Sequence, residues 1–216
     1  MAIPVLIIGA SGSGKSASMM NLDPKETALI NVLGKPLPFR GRFDQCVTDD
    51  SARIISAVKT AKRQIIVIDD VGYVMTNAFM RNHSSTGAGN AVFALYNDIG
   101  DKFWNLVESV RHIDGDERVY FLMHEEQNDF GRIRPKTIGK MIDEKVCLEG
   151  MFTICLRCKV SNGKHIFKTQ SDGYDVAKTP MGMFDAEEIP NDLAMVDKAI
   201  CEYYGIGEKH DVGEPV

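Results

Sequence analysis

The chain has 216 residues, 44% of them hydrophobic, and a formal net charge of −5. That is enough apolar material for the full core of one α/β domain; the charge gives no global pull toward nucleic acid, and no stretch approaches the ~18 consecutive apolar residues of a membrane helix. The five cysteines, Cys46, Cys147, Cys155, Cys158 and Cys201, are an odd number without framework spacing, which suits a reducing compartment. The first strand follows the N-terminus with no charged leader, so the expectation is a cytoplasmic protein with no membrane partner.

In chain order, Ile3-Pro4-Val5-Leu6-Ile7-Ile8 reads as a buried strand. It runs into Gly9-Ala10-Ser11-Gly12-Ser13-Gly14-Lys15-Ser16, which fits G-x-x-x-x-G-K-[ST], the phosphate-binding (Walker A) loop, in the strand-loop-helix setting the motif requires. Such a loop turns its backbone N–H groups around nucleotide phosphates, and the helix N-terminus adds partial positive charge. Lys15 is predicted to reach the β- and γ-phosphates and Ser16 to ligate Mg²⁺, so ATP and Mg²⁺ are the expected cofactors. The helix opened by Lys15 is expected to stop near Asn21, before Asp23-Pro24. A second strand covers residues 27–32, after which Gly34, Pro36 and Pro38 break regular structure through Arg42. Asp50-Ser51 caps a helix through Lys62. Ile65-Ile66-Val67-Ile68-Asp69-Asp70 then reads as a parallel strand closed by two acids. Strand, helix, strand, helix, strand is the pattern of right-handed crossovers in a parallel sheet, whose ligands sit at the carboxyl ends of the strands. Asp69 is therefore the expected Mg²⁺-holding acid. Asp70 is placed to orient or deprotonate the attacking water, with Glu125 and Glu126 as rivals.

Residues 72–90 read as a long irregular loop. A helix over residues 91–110 follows, with Phe93, Phe103 and Trp104 assigned to the core. A fourth strand over residues 118–123 ends at His124-Glu125-Glu126; this points His124 at the γ-phosphate region, as a sensor of nucleotide state or as a structural histidine. Residues 131–140 gather Arg132, Arg134, Lys136 and Lys140 without an acid, a loop able to track a phosphate backbone or simply to be solvated. Residues 151–160 and 164–169 form a hairpin about Asn162-Gly163. Within it Cys155 and Cys158 point to opposite faces, which predicts packing rather than a zinc site. Asn191 is expected to cap a last helix through Tyr204, closed by Gly205. The domain thus spans residues 1–207 and a polar tail residues 208–216.

The phosphate loop Gly9 to Ser16, the strand ending in Asp69-Asp70, the strand ending in His124-Glu125, and Ala177-Lys178-Thr179-Pro180 together resemble the compact RecA-core ATPases encoded by bacteriophages, whose members act as single-strand annealing recombinases. Over residues 3–204 the resemblance implies a RecA-like α/β P-loop fold, with a mainly parallel sheet flanked by helices, a C-terminal β-hairpin and a final helix. It also implies ATP hydrolysis with Mg²⁺, binding of single-stranded DNA, assembly of copies into a ring or filament, and residence in the host cytoplasm. Arg81, Arg132, Arg134, Lys136 and Lys140 match the places where RecA-like proteins contact DNA. Lys178, with Lys168 as second choice, matches lysines that reach the γ-phosphate of a neighbouring subunit. RecA itself carries its catalytic glutamate after the second strand, where this chain has Asn31-Val32-Leu33. Two other classes use the same loop: a small-molecule or nucleotide kinase, with residues 132–140 as its lid, and a nucleotide-switched loader or packaging accessory with little turnover.

Overall fold

The strand β1 (Ile3–Gly9) buries every residue from Val5 to Gly9. A run of aliphatic side chains without polar alternation needs cover on both faces, and β1 finds it inside a parallel sheet. The computed structural model describes residues 1–139 and 145–207; Lys140 and the 208–216 tail lie outside the described residues. After β1 come a 3-10 helix (Ser16–Asn21), β2 (Thr27–Asn31), β3 (Asp44–Val47), α1 (Ser51–Thr60), β4 (Ile65–Asp69), α2 (Tyr73–Asn82), α3 (Asn90–Arg111), β5 (Arg118–Gln127) and β6 (Ile133–Pro135). A second 3-10 helix (Leu148–Met151), β7 (Ile154–Ser161), β8 (Lys164–Lys168), β9 (Glu188–Pro190) and α4 (Leu193–Tyr204) complete the described chain.

The strand order is β3-β2-β4-β5-β1-β7-β8-β9, with β6 added to β5. Pairings from β3 to β7 are parallel, and β6, β8 and β9 join antiparallel. This is the expected α/β P-loop architecture, with a mainly parallel sheet, a β7–β8 hairpin and a final helix. Alternation along the strands sends Leu6, Ile8, Ile68, Phe121 and Met123 to the core under α1, α2 and α3. Val5, Ile7, Val67, Tyr120 and Leu122 face the opposite core, under α4 and Met19 of the first 3-10 helix. Cys155 and Cys158 fall in opposite cores, as strand residues three apart should.

The structure corrects the sequence expectations at several places. Residues 73–82 are helical rather than looped, because Val74 and Met75 bury themselves under the sheet. The segment after Lys15 is a six-residue 3-10 helix. Phe93 and Trp104 project into solvent from α3, whereas Phe103 is buried. Residues 133–135, expected as loop, pair with the end of β5. β3 and β9 are short outermost strands with too few residues to show a period. Finally, Asp192 and not Asn191 caps α4, accepting the Ala194 N–H at 2.9 Å.

At the far end of the sheet, Arg118 on β5 donates from Nε and Nη2 to the two carboxylate oxygens of Asp197 on α4, each at 3.0 Å. The Tyr120 hydroxyl donates to the same carboxylate at 2.7 Å. Removing one member of a buried ion pair strands the other charge, at a cost of about 3 kcal/mol or more. Asp197→Ala should therefore lower the unfolding free energy by about 3 kcal/mol in a urea titration. Lys198→Ala, one position along on the exposed face of the same helix, should change it by less than about 0.5 kcal/mol.

Candidate functional site

β1 ends at Gly9, level with His124 of β5 on one side and Cys158 of β7 on the other. The phosphate loop leaves the sheet at this point. A Cβ at Gly9 would lie 2.5 Å from both the Cys158 carbonyl and Ser13 Oγ, so the first glycine of the motif is set by a close approach. Gly14 has φ +105°, and a Cβ there would lie 2.6 Å from Asn191 Nδ2. Lys15 folds back over the loop, and its Nζ donates to the Gly9 and Ala10 carbonyls at 2.8 and 2.9 Å. Burial lowers its pKa, while Cys158, Asp70 and Asp69 act in the other direction. Ser16 Oγ donates to Asp69 Oδ1 at 2.9 Å. That bond joins the loop to the end of β4, although β5 lies between β1 and β4.

Asp69 and Asp70 are both buried. Burial first, and repulsion from Asp70 second, push the Asp69 carboxyl up to about 6. Asp70 sits in the left-handed region, φ 60°, a conformation few non-glycine residues adopt and one that recurs at functional sites. Its Oδ2 is ion-paired with Lys35, and His124 Nε2 lies 3.6 Å from Oδ1. Burial, then the charge of Lys15, lowers the His124 pKa, and its ring meets Tyr73 edge-on at 5.9 Å. Lys35 is a site residue that sequence reasoning missed. Asn31 delivers it: Asn31 Oδ1 accepts the Gly34 N–H at 2.8 Å and Nδ2 donates to the Lys35 carbonyl at 2.9 Å. A cation inside the Gly34 to Pro38 turn was the available signal.

Ser11, Gly12, Gly14, Lys15, Ser16, Lys35, Asp70, His124 and His165 line one cleft of about 440 Å³, with Pro36 and Pro38 as an apolar wall. Its size suits a small-molecule site. A cleft of similar volume at the opposite end of the sheet, between Met1, Arg111, Phe152 and Tyr204, has neither a phosphate loop nor paired acids. Among the described residues no cluster of three His, Cys, Asp or Glu forms a metal cage. Mg²⁺ asks for less, since it keeps waters and shares phosphate oxygens. Ser16 Oγ and Asp69 Oδ1 are hard oxygens 2.9 Å apart, beside a second carboxylate whose repulsion a divalent cation would relieve. These two residues fit the ion, which when bound would neutralise phosphate charge.

The other predicted residues lie away from the cleft or are engaged. Arg157 grips Glu125 through Nε and Nη2 at 2.8 and 3.1 Å, and Arg134 donates to Glu126 at 2.9 Å. Arg81, at the end of α2, is ion-paired with Asp49. Arg132 and Lys136 are exposed and, among the described residues, have no carboxylate partner. The Lys178 backbone bridges Cys155, which is level with Leu6. Lys178 is thus three residues, ~10 Å, down the sheet from Gly9. Lys168 is buried between Asp172 and Asp175, at 2.8 Å from each, which removes it as a free cation. A family model described as AAA domain matches residues 1–181. No curated protein matches the sequence.

Asp69 sets a testable pH dependence. Its carboxyl rises to about 6 in the folded protein, against ~3.9 in an unfolded chain. Between these values the folded state holds a proton that the unfolded state has released, so this group's contribution makes stability fall as pH rises through that window. Asp69→Asn removes the buried charge. It should flatten this component and make the metal-free protein about 2 kcal/mol more stable at pH 7.5. Paired urea titrations of wild type and variant at pH 4, 6 and 7.5 read the difference; a variant less stable than wild type at pH 7.5 would show that the site favours the charged form.

Proposed function

The chain belongs to the AAA-domain family of nucleotide-binding P-loop ATPases, and from that premise we propose that it hydrolyses ATP and couples the cycle to single-stranded DNA, in annealing or recombination. In this reading Lys15 and the loop amides hold the phosphates, Ser16 and Asp69 hold Mg²⁺, and Asp70 orients the attacking water. The observation that carries the reading is the course of β5. This strand bears His124 and Glu125 at the phosphate end and continues to Gln127, pairing with β6. At the turn between them Phe130 is 88% exposed, and Arg132 follows without a carboxylate partner among the described residues. One hydrogen-bonded ladder therefore joins the cleft to an exposed tip that is both aromatic and basic. Bases stack on such aromatic faces while cations track the phosphate backbone. The same reading includes assembly of several copies, with Lys178 reaching a neighbour's γ-phosphate.

One observation favours a second reading. Asp70 and Glu125 are both held in ion pairs, to Lys35 and Arg157, which suits a nucleotide-switched loader or accessory with slow turnover. The kinase alternative loses support because residues 133–135, within the 132–140 segment expected as its lid, are hydrogen-bonded to β5.

Steady-state ATP hydrolysis with and without an oligothymidylate separates the two readings. DNA-stimulated turnover that Lys15→Ala abolishes is expected for the annealing ATPase; tight ATP binding with turnover that DNA leaves unchanged identifies the switch. Neutralising Arg132 and Lys136 together should also reduce the log–log salt slope of DNA binding by about 1.4, at about 0.7 per lost phosphate contact. A fluorescence titration across salt concentrations measures it, and an unaltered slope would assign the β5–β6 tip another role.

A further inference from the structure

Two consecutive carbonyls of the phosphate loop are gripped by side chains from the C-terminal third of the chain. His165, at the start of β8, places Nδ1 2.7 Å from the Ser13 oxygen; because a carbonyl only accepts, this ring nitrogen carries a proton. Cys158 Sγ on β7 donates to the same oxygen at 3.0 Å. Asn191, just after β9, donates from Nδ2 to the Gly14 oxygen at 3.0 Å, and its own Oδ1 lies 3.3 Å from Cys158 Sγ, whose single proton it shares with the Ser13 oxygen. The next residue, Asp192, accepts from Asn21 Nδ2 at 2.8 Å, at the opposite end of the 3-10 helix, while its other oxygen caps α4. The loop and the far end of its helix are thus tied to one Asn191-Asp192 pair.

In a trans peptide the C=O of one residue and the N–H of the next point in opposite directions. Holding the Ser13 and Gly14 oxygens outward therefore turns the N–H groups of Gly14 and Lys15 the other way, into the loop. The Gly14 oxygen also accepts the Ser18 N–H at 2.9 Å, so Asn191 reinforces a bond that the helix supplies, whereas the Ser13 oxygen, in glycine-rich backbone that rotates at little cost, is met by the His165 and Cys158 side chains. We propose that His165 and Asn191 are positioning residues that preset these amides for an anionic phosphate. The proposal rests on the nucleotide reading only for the identity of the anion. Asn191 lies beyond the residues the family model matches, and His165 is exposed at the surface. Neither is needed to fill a core, so a role in the loop is separable from a role in the fold.

The test combines nucleotide affinity with hydrogen exchange of the nucleotide-free protein. A His165→Ala, Asn191→Ala double variant should bind Mg–ATP about 10- to 50-fold more weakly, as expected for two lost neutral hydrogen bonds. It should exchange amides in residues 9–21 about 10-fold faster while its thermal midpoint stays within a few degrees. His165→Asn keeps an N–H donor at the δ position and should recover affinity to within about 3-fold of wild type. Asn191→Asp keeps the shape, replaces the donor with an acceptor, and should lose as much as Asn191→Ala. These two size-preserving variants carry the test if the double variant does not fold. Unchanged affinity and exchange, or a His165→Asn protein no better than His165→Ala, would overturn the proposal. A wild type that binds no Mg–ATP while its variants show the exchange pattern would sink the nucleotide reading and leave the positioning role standing.

Discussion

The interposition of β5 between β1 and β4 is the constraint on which the site depends. Strands are ~4.8 Å apart, so the phosphate loop and Asp69 end up separated by about two strand spacings. The Ser16–Asp69 hydrogen bond bridges that gap, and the end of β5 rises within it. His124 consequently faces Asp70 and lines the same cleft as Lys15. Were β1 and β4 neighbours, no strand would deliver a side chain between loop and acids. The same strand continues beyond the sheet to pair with β6, so the polar centre of the cleft and the exposed Phe130 tip share one backbone ladder.

Charge in the cleft is arranged unevenly. Lys15 is satisfied by two carbonyls and Lys35 by Asp70. Asp69 receives the Ser16 hydroxyl and, among the described residues, no cation in contact, and burial drives its carboxyl upward. A buried carboxylate without a cation in contact is costly in low dielectric. The cost falls at the position where Mg²⁺ fits, since a divalent cation there would offset the repulsion between the two acids. Lys35 is the other adjustable element, because it reaches Asp70 from a turn and its side chain remains 49% exposed.

Much of this was legible in the sequence, because the informative segments are local and dense. The phosphate loop is a contiguous motif, and the apolar runs 3–8 and 65–68 read as buried strands. Asp69-Asp70 follows by position at a carboxyl end. What escaped depends on contacts distant in sequence. Lys35 acquires meaning only when β2 pairs with β4 and brings its turn to Asp70. Asn191 looks like a helix cap beside Asp192, and a one-residue difference decides which of them caps α4 and which holds Gly14. The basic stretch 131–140 looked uniform, yet Arg134 is taken by Glu126, one strand position from the Glu125–Arg157 pair, while Arg132 stays free of carboxylates among the described residues. Helix α2 was hidden because only Val74 and Met75 are fully buried in it, too few to mark a period.

The 3-10 character of the helix after the loop gives the C-terminal contacts their weight. A long α-helix sums aligned peptide dipoles into a partial positive charge at its N-terminus. Six residues of 3-10 helix, with poorer hydrogen-bond geometry, contribute less of that field. An anion at this loop must then be met mainly by individual N–H groups, whose direction matters more than their number. Direction is what His165 and Cys158 act on through the Ser13 carbonyl, and what Asn191 reinforces at the Gly14 carbonyl beside the Ser18 N–H. The β7–β9 region and α4, which look in sequence like an appendage to a parallel sheet, therefore complete the phosphate loop as a rigid structure.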